Sequence, residues 1–247
     1  MIAQIRAEML KLATVRTSLL FVLATAALTA LIVGMQAVTA GGEFMGPLDE
    51  PATQAALFAS GEPVTLIAIV FGCLALATEF RHQTIVTTLL ADPHRGHVVA
   101  AKSAGALAGG VVLGAVGVLV AAAGTWVVLA VSGTELLVGA GLLGRAAAGT
   151  VAAAALGSLF GMGVGGVVRN QAMAVGATLL LLLAVEPLVG SLAPDLGRWL
   201  PSGLATVLAS GQAAPGVGLA AAALVLALYG VATAAVAALL LRRADIA

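Results

Sequence analysis

The chain has 247 residues, 61% of them hydrophobic and 9% charged, with a formal net charge of zero and a mean hydropathy of +1.14. A soluble domain carries about 25% charged residues, so this composition excludes one and points to an integral membrane protein. Zero net charge leaves no basic surplus for nucleic-acid binding, and the single cysteine, Cys73, excludes an intrachain disulfide.

Residues 1–17 place Ile2, Ile5, Met9 and Leu12 on one helical face with Arg6, Glu8 and Lys11 off it, the pattern of an amphipathic helix lying in the membrane interface. A cleaved signal peptide is the rival. Its core, Ser18 to Gly34, exceeds the usual length of about 7–15 residues and its leader contains an acid, so cleavage is not expected. Ser18 to Val38 is charge-free for 21 residues. At about 1.5 Å per residue that crosses the roughly 30 Å of hydrocarbon, giving span one at 18–38. The loop from Thr39 to Glu62 holds Glu43, Asp49, Glu50 and Glu62 without Lys or Arg and belongs on the outer side. Span two occupies 63–78.

Residues 79–102 form the one long polar interruption in the middle of the chain. Within it Ile85, Val86, Leu89 and Leu90 recur at helical spacing until Asp92-Pro93 stops the pattern. A short amphipathic helix between two spans is predicted, either a solvated connection on the membrane surface or a lever docked into a partner. Glu79 and Arg95 read as exposed, screened charges. Span three, 103–134, is charge-free for 32 residues, long enough to tilt, extend beyond the bilayer or kink at Gly109-Gly110.

Span four covers 146–168 and span five 172–185, joined by a tight turn from Val168 to Gln171 into an antiparallel hairpin. Glu186-Pro187 ends the regular part of span five. Gly190, Pro194, Gly197, Pro201, Gly203 and Gly211 then punctuate 187–216 at intervals too short for a crossing, which predicts short re-entrant outer helices. Span six covers 218–241 and is closed by Arg242-Arg243. The expected fold is one all-α transmembrane domain over 1–247 with six spans. Both termini inside puts Arg6, Lys11, Arg16, Arg81, Arg95, Lys102, Arg169, Arg242 and Arg243 on the inner side and only Arg145 and Arg198 outside.

Several motifs tempt. Gly96 to Ser103, G-H-V-V-A-A-K-S, misses a phosphate-binding loop because Ala101 replaces its second glycine and no buried strand precedes it. Gly161 to Gly166, G-M-G-V-G-G, matches a dinucleotide fingerprint, but it lies in an apolar span. Gly157, Gly161 and Gly165 recur there as a small-residue ridge for helix packing, and Gly110 and Gly114 make a similar pair. Asp92, His94 and His97 could be drawn as a metal cluster, but apart from His82, ten residues upstream of Asp92, no further Cys or His completes a tetrahedral set. Serine-hydrolase and zinc-protease motifs are missing from the sequence, and no catalytic, metal or cofactor residue is expected. Arg145 and Glu186 lie on the same side at comparable depth. They either pair in the outer leaflet or snorkel separately to water.

The order Glu79, Thr84, Leu89-Leu90, Pro93, Arg95, Lys102, with Arg81 between the first two, resembles the cytoplasmic loop around the coupling helix of the type 2 ATP-binding-cassette (ABC-2) exporter permeases. The V-R-N-Q turn, the E-P near the end of span five and the R-R-x-D-I tail also look like its compact bacterial members. Arginine outnumbering lysine, with abundant Ala, Val and Gly, suggests a GC-rich, actinobacterial source. His82-Gln83 and the lack of a second acid near Arg81 depart from the pattern.

The resemblance implies a permease subunit in the bacterial cytoplasmic membrane, with Glu79, Arg81, Thr84, Leu89, Leu90, Pro93, Arg95 and Lys102 coupling it to two separate ATPase subunits. ATP and Mg would be used by those partners, and a second copy or a paralogue would complete the pathway. The chain would not be an enzyme, and a pathway lined by Ala, Leu, Val, Ser and Thr would suit a hydrophobic cargo such as a drug, lipid or small peptide. An ion-coupled secondary transporter and a non-transporting scaffold or immunity protein are the other readings. The former needs acids or broken helices near the midplane.

Overall fold

The computed structural model describes residues 2–43, 45–61, 63–82, 84 and 95–243. The elements are α1 (Ile2–Thr14), α2 (Arg16–Thr39), α3 (Pro51–Phe58) with a 3-10 turn (Ala59–Gly61), α4 (Val64–Arg81), α5 (Arg95–Ser132) and α6 (Ala140–Val168). They continue as α7 (Gln171–Leu180), a π-helical turn (Leu181–Val185), α8 (Glu186–Leu192), α9 (Pro194–Gly197), α10 (Pro201–Ser210) and α11 (Leu219–Arg243). No strand occurs among the described residues. Among the described residues, six helical stretches are long and apolar enough to cross a membrane: Arg16–Thr39, Pro51–Arg81, Gly96–Ser132, Ala140–Val168, Gln171–Leu192 and Leu219–Arg242.

The outside of the molecule is apolar, as lipid contact requires: Leu19, Leu23, Leu31, Leu119, Trp126, Leu180, Leu183, Leu224 and Leu228 are all exposed. Buried polar groups are few and mostly small. On α2, Thr25, Thr29 and Val33 turn inward at four-residue intervals, and α2 packs on α5 through that stripe.

The centre is α6, which packs against α4, α5, α10 and α11. Without an aqueous hydrophobic drive, contact between such helices depends on close backbone approach. The glycine ridge provides it within this chain. A side chain at Gly161 would collide with the Ile69 carbonyl, one at Gly165 with the Cys73 carbonyl, and one at Gly72 with the Ser158 backbone. Gly157 faces Thr65 and Ile69, so the ridge serves the α4–α6 seam.

Several boundaries differ from the sequence reading. Val15 is extended (ψ 128°), which breaks the chain between α1 and α2. The connection between α2 and α4 contains α3, whose buried Gln54 donates to the Leu48 and Glu135 carbonyls at 2.9 Å each and accepts from the Leu137 amide at 2.8 Å. That one amide ties the α2–α4 and α5–α6 connections together. Helix α5 runs unbroken for 38 residues, about 57 Å at 1.5 Å per residue. No break occurs at Gly109-Gly110: a Cβ there would strike the Phe71 ring or the Ala154 backbone, so this pair permits close packing rather than a kink.

The fifth crossing does not end at Glu186-Pro187. Its regular α part stops earlier, at Leu180, and the π turn carries the helix on to Leu192. Pro187 has no amide to donate and sits at the start of α8, where the wider turn has already redirected the bonding; the Glu186 amide reaches the Leu181 carbonyl. In the V-R-N-Q turn, Arg169 is left-handed (φ 56°) and Asn170 caps α7 by accepting from the Met173 amide at 3.1 Å.

Candidate functional site

The polar segment is shorter than the sequence suggested, because α4 continues to Arg81 and α5 begins at Arg95. Glu79 and Lys102 therefore sit on helices, Glu79 in the last turn of α4 and Lys102 in the second turn of α5. Both face inward: Glu79 is 7% exposed and Lys102 3%. Glu79 is thus not the screened surface charge expected of a loop residue.

The two are joined directly, with Lys102 Nζ 2.5 Å from Glu79 Oε1. Two residues of α1 complete the cluster. Lys102 Nζ lies 2.9 Å from Glu8 Oε1, and Lys11 Nζ lies 2.8 Å from Glu8 Oε1 and 3.2 Å from Glu79 Oε1. The cluster is electrically neutral, two acids and two lysines, which suits a site with little water. Glu79 Oε2 is buried and has no hydrogen-bond partner among the described residues.

Lys11 is the half-exposed member. Burial alone would lower its pKa, but hydrogen bonding and attraction from Glu8 and then Glu79 outweigh this and raise it above lysine's ordinary value of 10.5. Sequence reading missed Glu8 and Lys11 as partners. Their i, i+3 spacing off the apolar face of α1 was visible, but what that face meets was not.

The remaining expected coupling residues fall as follows. Arg81 is exposed and donates to Gln171 Oε1 at 3.1 Å, linking the end of α4 to the start of α7. Thr84 is exposed. Arg95 is the first residue of α5. Leu89, Leu90 and Pro93, with the amphipathic helix expected around them, lie outside the described residues, as do Asp92 and His94. His97 and the whole G-H-V-V-A-A-K-S run belong to continuous α5, so that run is not a phosphate-binding loop.

Arg145 and Glu186 do not pair. Arg145 Nε donates to the Gly211 carbonyl at 3.3 Å. Glu186, 3% exposed, accepts from the Ser202 amide at 2.8 Å and from the Ser202 hydroxyl. Comparable depth did not place the two on facing surfaces: α10 returns between them, offering Ser202 to one and the carbonyl beyond its end to the other. Glu186 Oε1 is buried without a partner among the described residues.

One cavity adjoins the ionic cluster and a second shares part of its wall. One of about 330 Å³ is lined by Glu8, Lys11, Glu79, His82 and Lys102 together with Leu12, Val15, Ser18 and Phe71. The other, about 440 Å³, shares Leu12, Val15, Ser18 and Phe71 and continues along Val22, Ala108, Val112 and Leu113. A scan against models of known protein families finds no match to this chain, and a search of curated proteins finds none.

Proposed function

We propose that the chain is the membrane-spanning permease subunit of an ATP-binding-cassette exporter of the type 2 class, resident in a bacterial cytoplasmic membrane with both termini inside. The observation that carries this reading is the Glu8, Lys11, Glu79, Lys102 cluster. It clamps α1 to the ends of both helices that flank residues 85–94. A force delivered to that segment would reach α4 and α5 together rather than dissipate in a loose connection. In the proposed cycle, two separate ATPase subunits close on ATP and Mg and press on residues 85–94. The helices then move as rigid rods to open an outward path for a hydrophobic cargo, with a second copy or a paralogue forming the other half. Differential binding of ATP to the closed state supplies the bias.

The test uses Leu89→Glu and Leu90→Glu. A docked lever loses about 1–3 kcal/mol when an unpaired charge enters its contact. Recovery of the cognate ATPase in a pull-down should then fall about five-fold to over a hundred-fold, together with export and with insertion unchanged. Unchanged recovery and export would remove the coupling role.

An ion-coupled secondary transporter is a second reading, favoured by one observation: Glu186 is a buried acid with an unpartnered oxygen directly after a π turn. Intramembrane acids and π turns both concentrate at functional sites. Glu186→Gln should abolish proton- or sodium-driven uptake if this reading holds, and should leave ATP-dependent export working if the first one does.

A further inference from the structure

We propose that the elbow between α1 and α2 is a binding site for one phospholipid with an ammonium-bearing, zwitterionic headgroup, held by the ionic cluster with an acyl chain in the adjoining apolar cavity. This goes beyond the exporter reading and holds whether or not that reading is correct.

The ligand chemistry follows from what the cluster leaves unsatisfied. Glu79 is more than nine-tenths buried, lines the first cavity and keeps one oxygen, Oε2, without a partner. An unpaired buried carboxylate oxygen calls for a donor, and a primary ammonium in the cavity supplies one once the Glu79 carboxylate turns toward the space its residue lines. Lys11 has three N–H donors. Its bonds to Glu8 and Glu79 leave one for a phosphate oxygen on the half-exposed side.

Charge selects further. The four side chains sum to zero, so a zwitterion preserves neutrality in this poorly hydrated place, whereas an anionic headgroup would add a net negative charge beside two carboxylates. A quaternary ammonium has no N–H to offer Glu79. The phosphate and primary amine together therefore specify phosphatidylethanolamine chemistry.

The apolar half of the site is equally explicit. The second cavity is lined by Leu12, Val22, Val112 and Leu113 and shares Val15, Ser18 and Phe71 with the wall of the first. It leads from the charged end of α5 along the helix toward its apolar middle. Together the two cavities have the size of ligand-binding sites, about 300–1,000 Å³.

The experiment is native mass spectrometry of the full chain in detergent, titrated with dioleoyl phosphatidylethanolamine or with dioleoyl phosphatidylglycerol. One retained phosphatidylethanolamine is expected per chain, bound about ten-fold more tightly than phosphatidylglycerol. Lys11→Ala, which removes the phosphate donor, and Ala108→Trp, which fills the apolar cavity away from the charges, should each weaken it by a similar factor. Val112→Trp fills the same cavity from an exposed position and replaces Ala108→Trp if that variant does not fold. Soluble phosphoethanolamine should not displace the lipid. Equal retention of the two lipids, binding unaffected by the tryptophan variants, or displacement by phosphoethanolamine alone would each overturn the proposal.

Discussion

Lys102 and Glu79 are bonded at 2.5 Å between the two helices that bound the polar segment, each almost fully removed from solvent. Their burial changes what substitution should do. Breaking a buried pair from one side strands a charge and costs about 3–5 kcal/mol, whereas replacing both partners with apolar groups of similar size is often neutral. Lys102→Met or Glu79→Leu alone should therefore lower the melting temperature of detergent-purified protein sharply. The double variant should recover most of the loss, with Lys11 and Glu8 still paired. Additive losses in the double variant would show that the pair is not coupled.

Helix α1 should undock at alkaline pH. The folded pKa of Lys11 is raised above 10.5 by Glu8 and Glu79 despite partial burial. Its contribution is thus complete below 10.5 and is lost as pH rises through the higher folded value. A fluorophore on α1 should report a stable environment through the neutral range and a transition only in the alkaline one. Lys11→Met should abolish that transition's dependence on this residue.

Glycine substitutions should divide by location. Gly161→Ala places a Cβ against the Ile69 carbonyl, where no flexible side chain can yield. Forcing α4 from α6 should cost about 1–3 kcal/mol in a thermal unfolding assay. Gly176→Ala, in α7 with open space around the position, should be neutral or stabilising by about 0.4–1 kcal/mol.

Reporter fusions test the orientation. Nine of eleven basic residues fall on one side when both termini are inside. Reporters after Ala91 and after Ala247 should be cytoplasmic, and one placed within residues 41–61 external. Finding Ala91 and Ala247 on opposite sides would refute the six-span arrangement, which places four crossings between them.

The Asn170 side chain caps α7 through the Met173 amide. Asn170→Ala should cost about 1 kcal/mol by loosening the turn between α6 and α7. Asn170→Asp, which keeps the acceptor, should restore stability in the same melting experiment.

The six membrane-length helices were legible in the sequence because lipid imposes a one-dimensional rule. Every backbone group must be satisfied within its own segment, so a charge-free run of sufficient length becomes a helix. Ser18 to Val38 and the α5 run needed nothing else, and Gly157, Gly161 and Gly165 announced a packing ridge by spacing alone. Which surface that ridge met was decided by the tertiary structure, since the complementary carbonyls of Ile69 and Cys73 belong to a helix about 90 residues upstream in sequence. Glu79 and Lys102 stood out as polar residues, but their mutual contact and the arrival of Glu8 and Lys11 depend on how α1 lies on α5. Likewise, equal depth of Arg145 and Glu186 was readable, yet depth says nothing about azimuth. The π turn and the return of α10 send one to Gly211 and the other to Ser202. Charge position along the membrane normal is written in the sequence; contact between charges requires the helices' rotation and packing, which only the folded chain decides.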